Sequence, residues 1–441
     1  MNYNIVQGTE EINSIGGISL VGKMLNNLKS FKFINDLQPK KVKNGTISHN
    51  NILKSMIALF TLGKTDYADI NLYKKDIVFK ESLRLFFLPS EETLRLRLDD
   101  IAGVLGDEMK DVNIEHLKKT TDYGQLELKH NSYTPVPMDV TVLNNEGSSK
   151  ENVSMTYKGY EGFAPMHAYI GTDGYFLNCE LREGKQHSQN GMIKFLDQTL
   201  DMLDELNVHN PLIVLDSAHD AAENINLFQE RNQSFIIKQN IRQQPIEQYL
   251  ALARRVGDCK EPREGKKVYT GVLSHLSPSN YTSSKPLFTV FEITERTIDS
   301  KGEPLLFPRI SCNLWWTSIP DEALEVIYLY HQQGTSEQFH SELKSDMGIE
   351  RLPSNKFLTN SLILQLGMIA FNILRSIGQN MLTIDCKKPI KIKIKRRRLR
   401  NVIQDLIYIA CKRVNHSNKL TLKFGKSCPW FEVFRLLYLK L

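Results

Sequence analysis

The feature that most constrains the fold is a short apolar run that ends in an acid. Residues 212–215 read Leu-Ile-Val-Leu, and Asp216 follows directly. The run does not alternate between apolar and polar side chains, which indicates a strand buried on both faces of a sheet. A carboxylate at the C-terminal end of such a strand lies where open α/β sheets commonly bind ligands. Capping of a following helix is a second role for Asp216 and is compatible with the first.

The segments around this run complete an α/β pattern. The predicted elements, in chain order, are strand 136–143, strand 167–170, strand 175–179, helix 190–206, strand 212–215, helix 221–231 and strand 235–237. Residues 171–174 read Gly-Thr-Asp-Gly and predict a turn, so the first three strands are expected to be antiparallel. The order β-β-β-α-β-α-β is that of the ribonuclease H-like fold, an α/β class with a mixed sheet and flanking helices. Asp139 lies inside the first strand, where a charge is costly unless it has a partner such as a metal ion; a solvent-facing Asp on an edge strand is the alternative.

The distribution of charge is more informative than its sum. The net charge is +6, but residues 387–441 hold 16 Lys and Arg against 2 Asp and Glu, a balance of +14. The other 386 residues hold 40 against 48, a balance of −8. A basic tail on an acidic body is typical of proteins that bind phosphate backbones. A solvated surface is the alternative.

Cysteine spacing and hydropathy argue against several classes of protein. None of the six cysteines forms a C-x-x-C pair, so neither a zinc ribbon nor a disulfide framework is expected. The N-terminus lacks the pattern of a signal peptide, and no apolar run reaches the roughly 18 residues that cross a membrane. We therefore expect a soluble protein of a reducing compartment.

Residues 330–344 carry a spaced motif. Tyr330, Gln333, Glu337 and Lys344 occupy it, and the spacing resembles the Y-(2)-R-(3)-E-(6)-K signature of bacterial insertion-sequence transposases of the DDE type. Gln333 stands where that family has Arg. Thr335 and Gln338 predict a capping box, which puts Glu337 in the first turn of a helix and Lys344 on the same face. The stretches 139–141, 159–165 and 215–217 also resemble the family. A surface helix with scattered charges is the alternative.

The resemblance implies a specific chemistry. Asp139, Asp216 and Glu337 would form a metal-binding triad for two Mg²⁺ or Mn²⁺ ions, and Tyr330, Gln333 and Lys344 would contact DNA phosphates. The enzyme would carry out cut-and-paste transposition: hydrolysis at the element ends and 3′-OH strand transfer, through a hairpin intermediate. Its partners would be the terminal inverted repeats and target DNA, bound by a homodimer, in the bacterial cytoplasm at the nucleoid and away from membranes.

The rest of the chain is divided on the same basis. The predicted regions are 1–125, a helical DNA-binding region; 126–240, the first part of the catalytic core; 241–317, a mostly β insertion; 318–385, the second part of the core; and 386–441, a basic region for DNA binding or dimerisation. The residues expected to bind the DNA backbone in the last region are Lys391, Lys393, Lys395, Arg396, Arg397 and Arg398. An ordinary helical bundle is an alternative for the first region. Two rival functions stay open: a nuclease of the same fold that cuts without joining, and a non-catalytic DNA-binding protein derived from a transposase.

Overall fold

The computed structural model describes residues 2–34, 47–120, 122–242, 245–274, 276–417 and 419–441. The α-helices in these residues are α1 (Ile18–Asn26), α2 (Ser30–Ile34), α3 (His49–Thr61), α4 (Ile77–Ser82), α5 (Glu91–Ile101), α6 (Gly106–Leu117), α7 (Met192–Glu205), α8 (Ala222–Glu230), α9 (Ile246–Val256), α10 (Ala323–His331), α11 (Ser336–Ser341), α12 (Phe357–Thr383), α13 (Leu399–Val402) and α14 (Phe431–Lys440).

The strands are short in the first half of the chain and long between residues 258 and 317. They are β1 (Leu126–Glu127), β2 (Ser132–Val140), β3 (Leu143–Asn144), β4 (Ser154–Met155), β5 (Glu161–Phe163), β6 (Met166–Ile170), β7 (Tyr175–Glu180), β8 (Pro211–Leu215), β9 (Ser234–Lys238), β10 (Asp258–Arg263), β11 (Lys266–Leu273), β12 (Phe288–Ile298), β13 (Pro304–Thr317), β14 (Cys411–His416) and β15 (Lys419–Phe424).

These elements form two compact units. The first unit contains residues 1–121, 143–163 and 340–441, and the second contains residues 122–142 and 164–339. The five predicted regions do not coincide with these units, because regions 126–240 and 318–385 each contain residues of both units. The functions assigned to the regions stay predictions.

The second unit is built on one mixed sheet. Its strand order is β10-β11-β12-β13-β9-β8-β2-β6-β7, with β1 paired to β2. Strands β2, β8 and β9 are mutually parallel, whereas β6 runs antiparallel to both of its neighbours, β2 and β7. The part from β7 to β9 therefore has the connectivity of the ribonuclease H-like fold, which confirms the predicted class. The apolar run that suggested it is β8, and Leu212 to Leu215 are buried as expected.

The β-rich insertion extends this sheet. Its last strand, β13, pairs antiparallel with β9, and β10 to β12 follow outward from β13. The insertion also contains α9, which the sequence analysis did not predict. Leu250 and Ala253 of α9 pack into a cluster with Tyr269, Phe291 and Leu314 of the strands. Residues 246, 250 and 253 have helical spacing, so the signal for this helix was present in the sequence.

The first unit is mostly helical and is organised around α12. This helix packs against α3 and α6, and 83% of its most apolar stretch is buried. Its length and composition would allow a membrane span, but a core helix passes the same test. Buried polar groups link α12 to α6: the Asn372 amide donates to Asn113 at 2.7 Å, and His116 Nε2 lies 3.0 Å from the Ser376 hydroxyl.

Side-chain caps begin two helices of the first unit. The Ser48 hydroxyl accepts from the Asn51 N–H at the start of α3, and the Ser90 hydroxyl accepts from the Thr93 N–H at the start of α5. All the described cysteines, in both units, are free thiols.

Candidate active site at the ends of the central strands

The sheet register brings Asp139 and Asp216 together. Met138 of β2 is paired with Leu215 of β8, and Leu215 is paired with Ile237 of β9. The residues that follow these three are Asp139, Asp216 and Lys238. Because the strands are parallel and adjacent, these residues form one row at the C-terminal edge, with their side chains on the same face.

The row lies on the face that is covered by α10. Val214 and Ile236, two positions before Asp216 and Lys238, belong to a core cluster with Val326 and Leu329 of α10. Since side chains repeat every two residues along a strand, Asp216 and Lys238 point to this same side. Helix α10, which carries Tyr330 of the motif, and the two strand-end acids therefore lie on the same face of the sheet.

Tyr330 connects the motif to both acids. Its half-buried ring packs against Trp315, with the ring centroids 5.4 Å apart. Burial raises the pKa of the Tyr330 phenol, and the negative charges of Asp216 and Asp139 raise it further. The phenol is thus protonated at neutral pH and can donate a hydrogen bond beside the two carboxylates.

Asp216 has the cap role that was considered for it. One of its carboxylate oxygens accepts a hydrogen bond from the Ala218 N–H at 3.0 Å, at the start of a 3₁₀ turn over Ser217–His219. Burial raises the pKa of the Asp216 carboxyl, and this effect is opposed by the Ala218 N–H and by the Lys238 charge. His219 Nε2 is 3.8 Å away, but burial lowers the pKa of His219 to about 4, so the ring is neutral at physiological pH. The Asp216 charge is therefore not neutralised by that histidine.

Glu337 lies where the motif analysis put it. Helix α10 ends at His331, a 3₁₀ turn covers Gln332–Thr335, and Glu337 is exposed in the first turn of α11. The predicted capping box is wrong, because Thr335 lies inside the 3₁₀ turn and is not the non-helical N-cap that the box requires. Its hydroxyl donates to the Gln332 carbonyl at 2.8 Å. A π-helical turn at Glu342–Asp346 also departs from the 3.6-residue repeat used to put Glu337 and Lys344 on one face.

Phe339 fixes α11 to the sheet. Its buried ring lies 5.2 Å from Tyr169 of β6 and covers Gly174, the turn residue between β6 and β7. Tyr169 in turn lies 6.2 Å from His167, the cross-strand partner of Asp139. Glu337 is therefore carried by a helix that packs beside the Asp139 strand.

The three acids do not form a closed cluster. Among the residues that the structure describes, no group of three or more His, Cys, Asp or Glu side chains is arranged to hold a metal ion. Asp139 and Asp216 are neighbours in the sheet. Glu337 is exposed on α11, which packs through Phe339 on β6, the strand that pairs with β2. The metal triad stays a prediction.

Gln333 lines a small cleft on the same face of the sheet. Pro137, Val214 and Leu329 form the apolar part of this cleft, with Gln332 and Thr335 beside Gln333. The position that carries Arg in the resembling family is therefore occupied by a neutral amide close to the strand-end row.

Trp315 and Trp316, which precede the motif at 330–344, both pack inside the second unit. Trp315 is fully buried, and its indole N–H has no hydrogen-bond acceptor among the described residues. The Trp316 indole donates to Asp220 at 3.0 Å, and the other oxygen of Asp220 accepts from the Asn240 N–H at 2.7 Å.

Lys344 belongs to the first unit, where it is half-buried. Burial lowers the pKa of its ammonium group, and the nearby Lys158 lowers it further, while Glu350 opposes the shift. Lys344 therefore already has an anionic neighbour, Glu350, beside the cationic Lys158. The predicted phosphate contact of Lys344 remains untested.

The basic segment divides into two groups. Arg396 and Arg397 make internal ion pairs with Glu342 and Asp405, and Arg398 pairs with Asp346 at 2.8 Å. Arg397 is also buried beside the Trp430 ring. These arginines have structural partners, which the count of charges alone did not reveal. Lys391, Lys393 and Lys395 are exposed.

Lys238 is the functional candidate that the sequence analysis missed. The signal was available, because residues 235–237 are apolar and Lys238 follows them, just as Asp216 follows residues 212–215. An ammonium group does not bind a metal ion, so the pattern of strand-end carboxylates does not include Lys238.

Comparisons with known proteins were made for the whole chain. No curated protein matches the sequence. A cryo-EM structure of the piggyBac transposase synaptic complex with hairpin DNA is similar at a TM-score of 0.42 and 9% identity, covering 90% of this chain and 80% of that chain. A family model described as transposase DDE domain group 1 matches residues 5–441. The match spans nearly the whole chain, and this protein therefore belongs to the DDE transposase family.

Proposed function

We propose that this transposase moves an insertion sequence by metal-dependent cut-and-paste transposition. It would hydrolyse the DNA at the element ends and join the 3′-ends to target DNA, through a hairpin intermediate. The observation that carries the proposal is the row of strand-end residues. In this row Asp139 and Asp216 are adjacent on the face of the sheet that α10 covers.

The residues of the row fit a hard divalent cation. Mg²⁺ and Mn²⁺ prefer carboxylate oxygens, and Asp216 is a partly desolvated carboxylate whose nearest imidazole is neutral. A cation would offset the cost of holding this charge at the sheet edge. We propose that Asp139 and Asp216 hold the ions from the sheet and that Glu337 completes the ligand set from α11.

The ions, when bound, would activate the attacking hydroxyl and neutralise the leaving 3′-oxygen. The chain itself would position the DNA. The protonated Tyr330 phenol would donate to a phosphate oxygen beside the carboxylates, and the Lys238 ammonium would attract the same backbone from the other end of the row. Gln333 would donate a neutral hydrogen bond where relatives use a guanidinium.

The proposed partners are the terminal inverted repeats and target DNA, bound by a homodimer in the bacterial cytoplasm. The positive balance of residues 387–441 supports a phosphate backbone as the partner of that region. Because three of its arginines have internal partners, we limit the proposed contacts in the 391–398 segment to Lys391, Lys393 and Lys395.

The test uses single variants of the full-length protein and duplexes taken from the DNA that flanks the coding region. Asp139→Asn, Asp216→Asn and Glu337→Gln should each lower Mg²⁺-dependent cleavage by roughly a thousandfold, because several kcal/mol of transition-state stabilisation is removed. Duplex binding should be retained, since phosphate contacts supply the affinity. Glu205→Gln, an exposed acid on α7, is the matched control and should cleave like the wild type. A variant that keeps most of its cleavage removes that acid from the triad.

The two rival functions are separated by the products. A pre-cleaved end and a target plasmid should give joined molecules with the wild type. Cleavage without joining would identify a nuclease, and binding without cleavage of any flanking duplex would identify a non-catalytic DNA-binding protein.

A further inference from the structure

A two-stranded hairpin near the C-terminus has an unusual charge. Strands β14 and β15 pair over their full length, and residues 411–426 contain five Lys and Arg but no Asp or Glu. Residues 387–441 hold 16 Lys and Arg in all, so five of them belong to this hairpin and the two residues that follow it.

One face of the hairpin is anchored to the first unit. The Phe424 ring lies 4.8 Å from Phe434 and 5.7 Å from Phe431, both at α14. Arg413, whose partner across the ladder is Leu422, makes two hydrogen bonds to Glu81 of α4, at 2.7 and 3.2 Å. The hairpin is therefore anchored at its base on this face, whereas Asn415 and Leu420 nearer the turn are exposed.

The opposite face is basic. Its cross-strand pairs are Lys412 with Lys423, Val414 with Thr421, and His416 with Lys419. Lys412 pairs with Glu10 at 2.9 Å, whereas Lys419 and Lys423 are exposed. Because Glu10 compensates the charge of Lys412, Lys419 and Lys423 are the cations of this face that are exposed to an anionic partner such as a phosphate backbone.

We propose that the outer face of the β14–β15 hairpin is a β-ribbon that binds the phosphate backbone of double-stranded DNA. The major groove of B-form DNA admits a two-stranded ribbon, and the anchored inner face would hold the ribbon rigid as it docks. Lys419 and Lys423 would supply the phosphate contacts. This inference rests on the proposed function in one respect, namely that DNA is the partner of this chain.

The experiment measures the salt dependence of binding to a 30-base-pair duplex of arbitrary sequence by fluorescence anisotropy. The double variant Lys419→Gln, Lys423→Gln should reduce the slope of log affinity against log salt by about two, because each lost contact removes about 0.9 from it. Affinity at 0.1 M salt should fall about tenfold or more. Lys419→Arg, Lys423→Arg should keep the wild-type slope, since the charges remain.

The matched control is Lys185→Gln, Lys194→Gln, which removes two exposed cations from the second unit. An unchanged slope in a hairpin variant that melts like the wild type would overturn the inference. An equal reduction of the slope in the control variant would overturn it as well. Binding to anionic lipid vesicles that depends on Lys419 and Lys423, without any change in duplex binding, would assign the ribbon to a membrane surface instead. Asp216→Asn should retain the full slope while losing cleavage, so failure of the ribbon and failure of the proposed catalysis give different results.

Discussion

At the scale of single residues, Asp216 combines a structural cost with the catalytic role that we propose for it. Its carboxylate caps a turn through the Ala218 N–H, yet burial disfavours its charged form. Catalytic groups are commonly kept in environments that would be unfavourable for a purely structural side chain.

Asp216→Asn should therefore make the metal-free protein slightly more stable at neutral pH. The pKa of Asp216 is raised on folding, so the wild type loses stability as the pH rises through that pKa, and the amide does not. Asn keeps an oxygen for the Ala218 cap. The effect is small because the side chain is 41% exposed. The increase in melting temperature at pH 7.5 should vanish near pH 3, where the carboxyl is protonated in both states.

Divalent ions provide the second part of this test. Mg²⁺ should raise the melting temperature of the wild type and have a smaller effect on Asp216→Asn, because a ligand has been removed. Asp258→Asn, at an exposed acid on β10, should respond to Mg²⁺ like the wild type. A lower stability of Asp216→Asn at pH 7.5 would contradict the argument.

Gln333 gives a prediction of the opposite kind, a gain of function. Gln333→Arg should strengthen binding of flanking duplexes several-fold, because a charge-assisted hydrogen bond is roughly twice as strong as a neutral one. Hairpin formation on a pre-nicked end should rise with it. Gln332→Arg adds the same charge one residue away in the same cleft and is the control. Equal or weaker binding by Gln333→Arg would mean that the position has a different role in this protein.

At the scale of elements, the contact that matters most for the motif is that between Phe339 and Gly174. Gly174 has φ +69°, and a Cβ there would lie 2.3 Å from the Phe339 ring. Only glycine allows α11 to approach the sheet this closely.

Gly174→Ala should displace α11 and lower cleavage by at least tenfold, with a smaller effect on duplex binding. The ring must move, and Glu337 lies two residues from it. Gly147→Ala is the matched control: Gly147 has φ +71° but no atom within 4 Å of the added Cβ, so it tests backbone strain without the clash. Cleavage by the Gly174 variant at the level of the Gly147 variant would show that the position of α11 does not depend on this contact.

At the scale of the whole molecule, three buried histidines predict sensitivity to acid. Burial lowers the pKa of His116 and His219 to about 4 and that of His340 to about 3. The unfolded chain binds protons at these sites near pH 6.5, and the folded chain does not. Stability is therefore lost as the pH falls below about 6.5, on the order of a few kcal/mol for each histidine by pH 4.

Urea unfolding between pH 7.5 and pH 5 measures this loss. His340→Gln should flatten the pH dependence, because one buried proton-binding site is removed. His416→Gln, at an exposed histidine on the β14–β15 hairpin, should leave it unchanged. A denaturation midpoint that does not change over this pH range would refute the prediction.

Much of the architecture could be predicted from local patterns alone. The uninterrupted apolar run at residues 212–215 predicted a central strand, because this signal depends only on neighbours in the chain. The spacing of Tyr330 and Glu337 indicated the transposase family for the same reason. The missed helix α9 and the misplaced capping box show the limit, since short polar and amphipathic segments allow more than one local structure.

The sequence by itself determined the fold class, the family and the two strand-end acids. Only the tertiary structure decided which distant residues meet: the register that aligns Lys238 with Asp139 and Asp216, the Gly174 contact that seats α11, and the acids that pair with Arg396 to Arg398. The physical reason is that residue type and spacing fix local conformation, whereas strand pairing and ion pairing join positions separated by tens to hundreds of residues. Such pairings depend on the packing of the whole sheet and helix core, which no local pattern encodes.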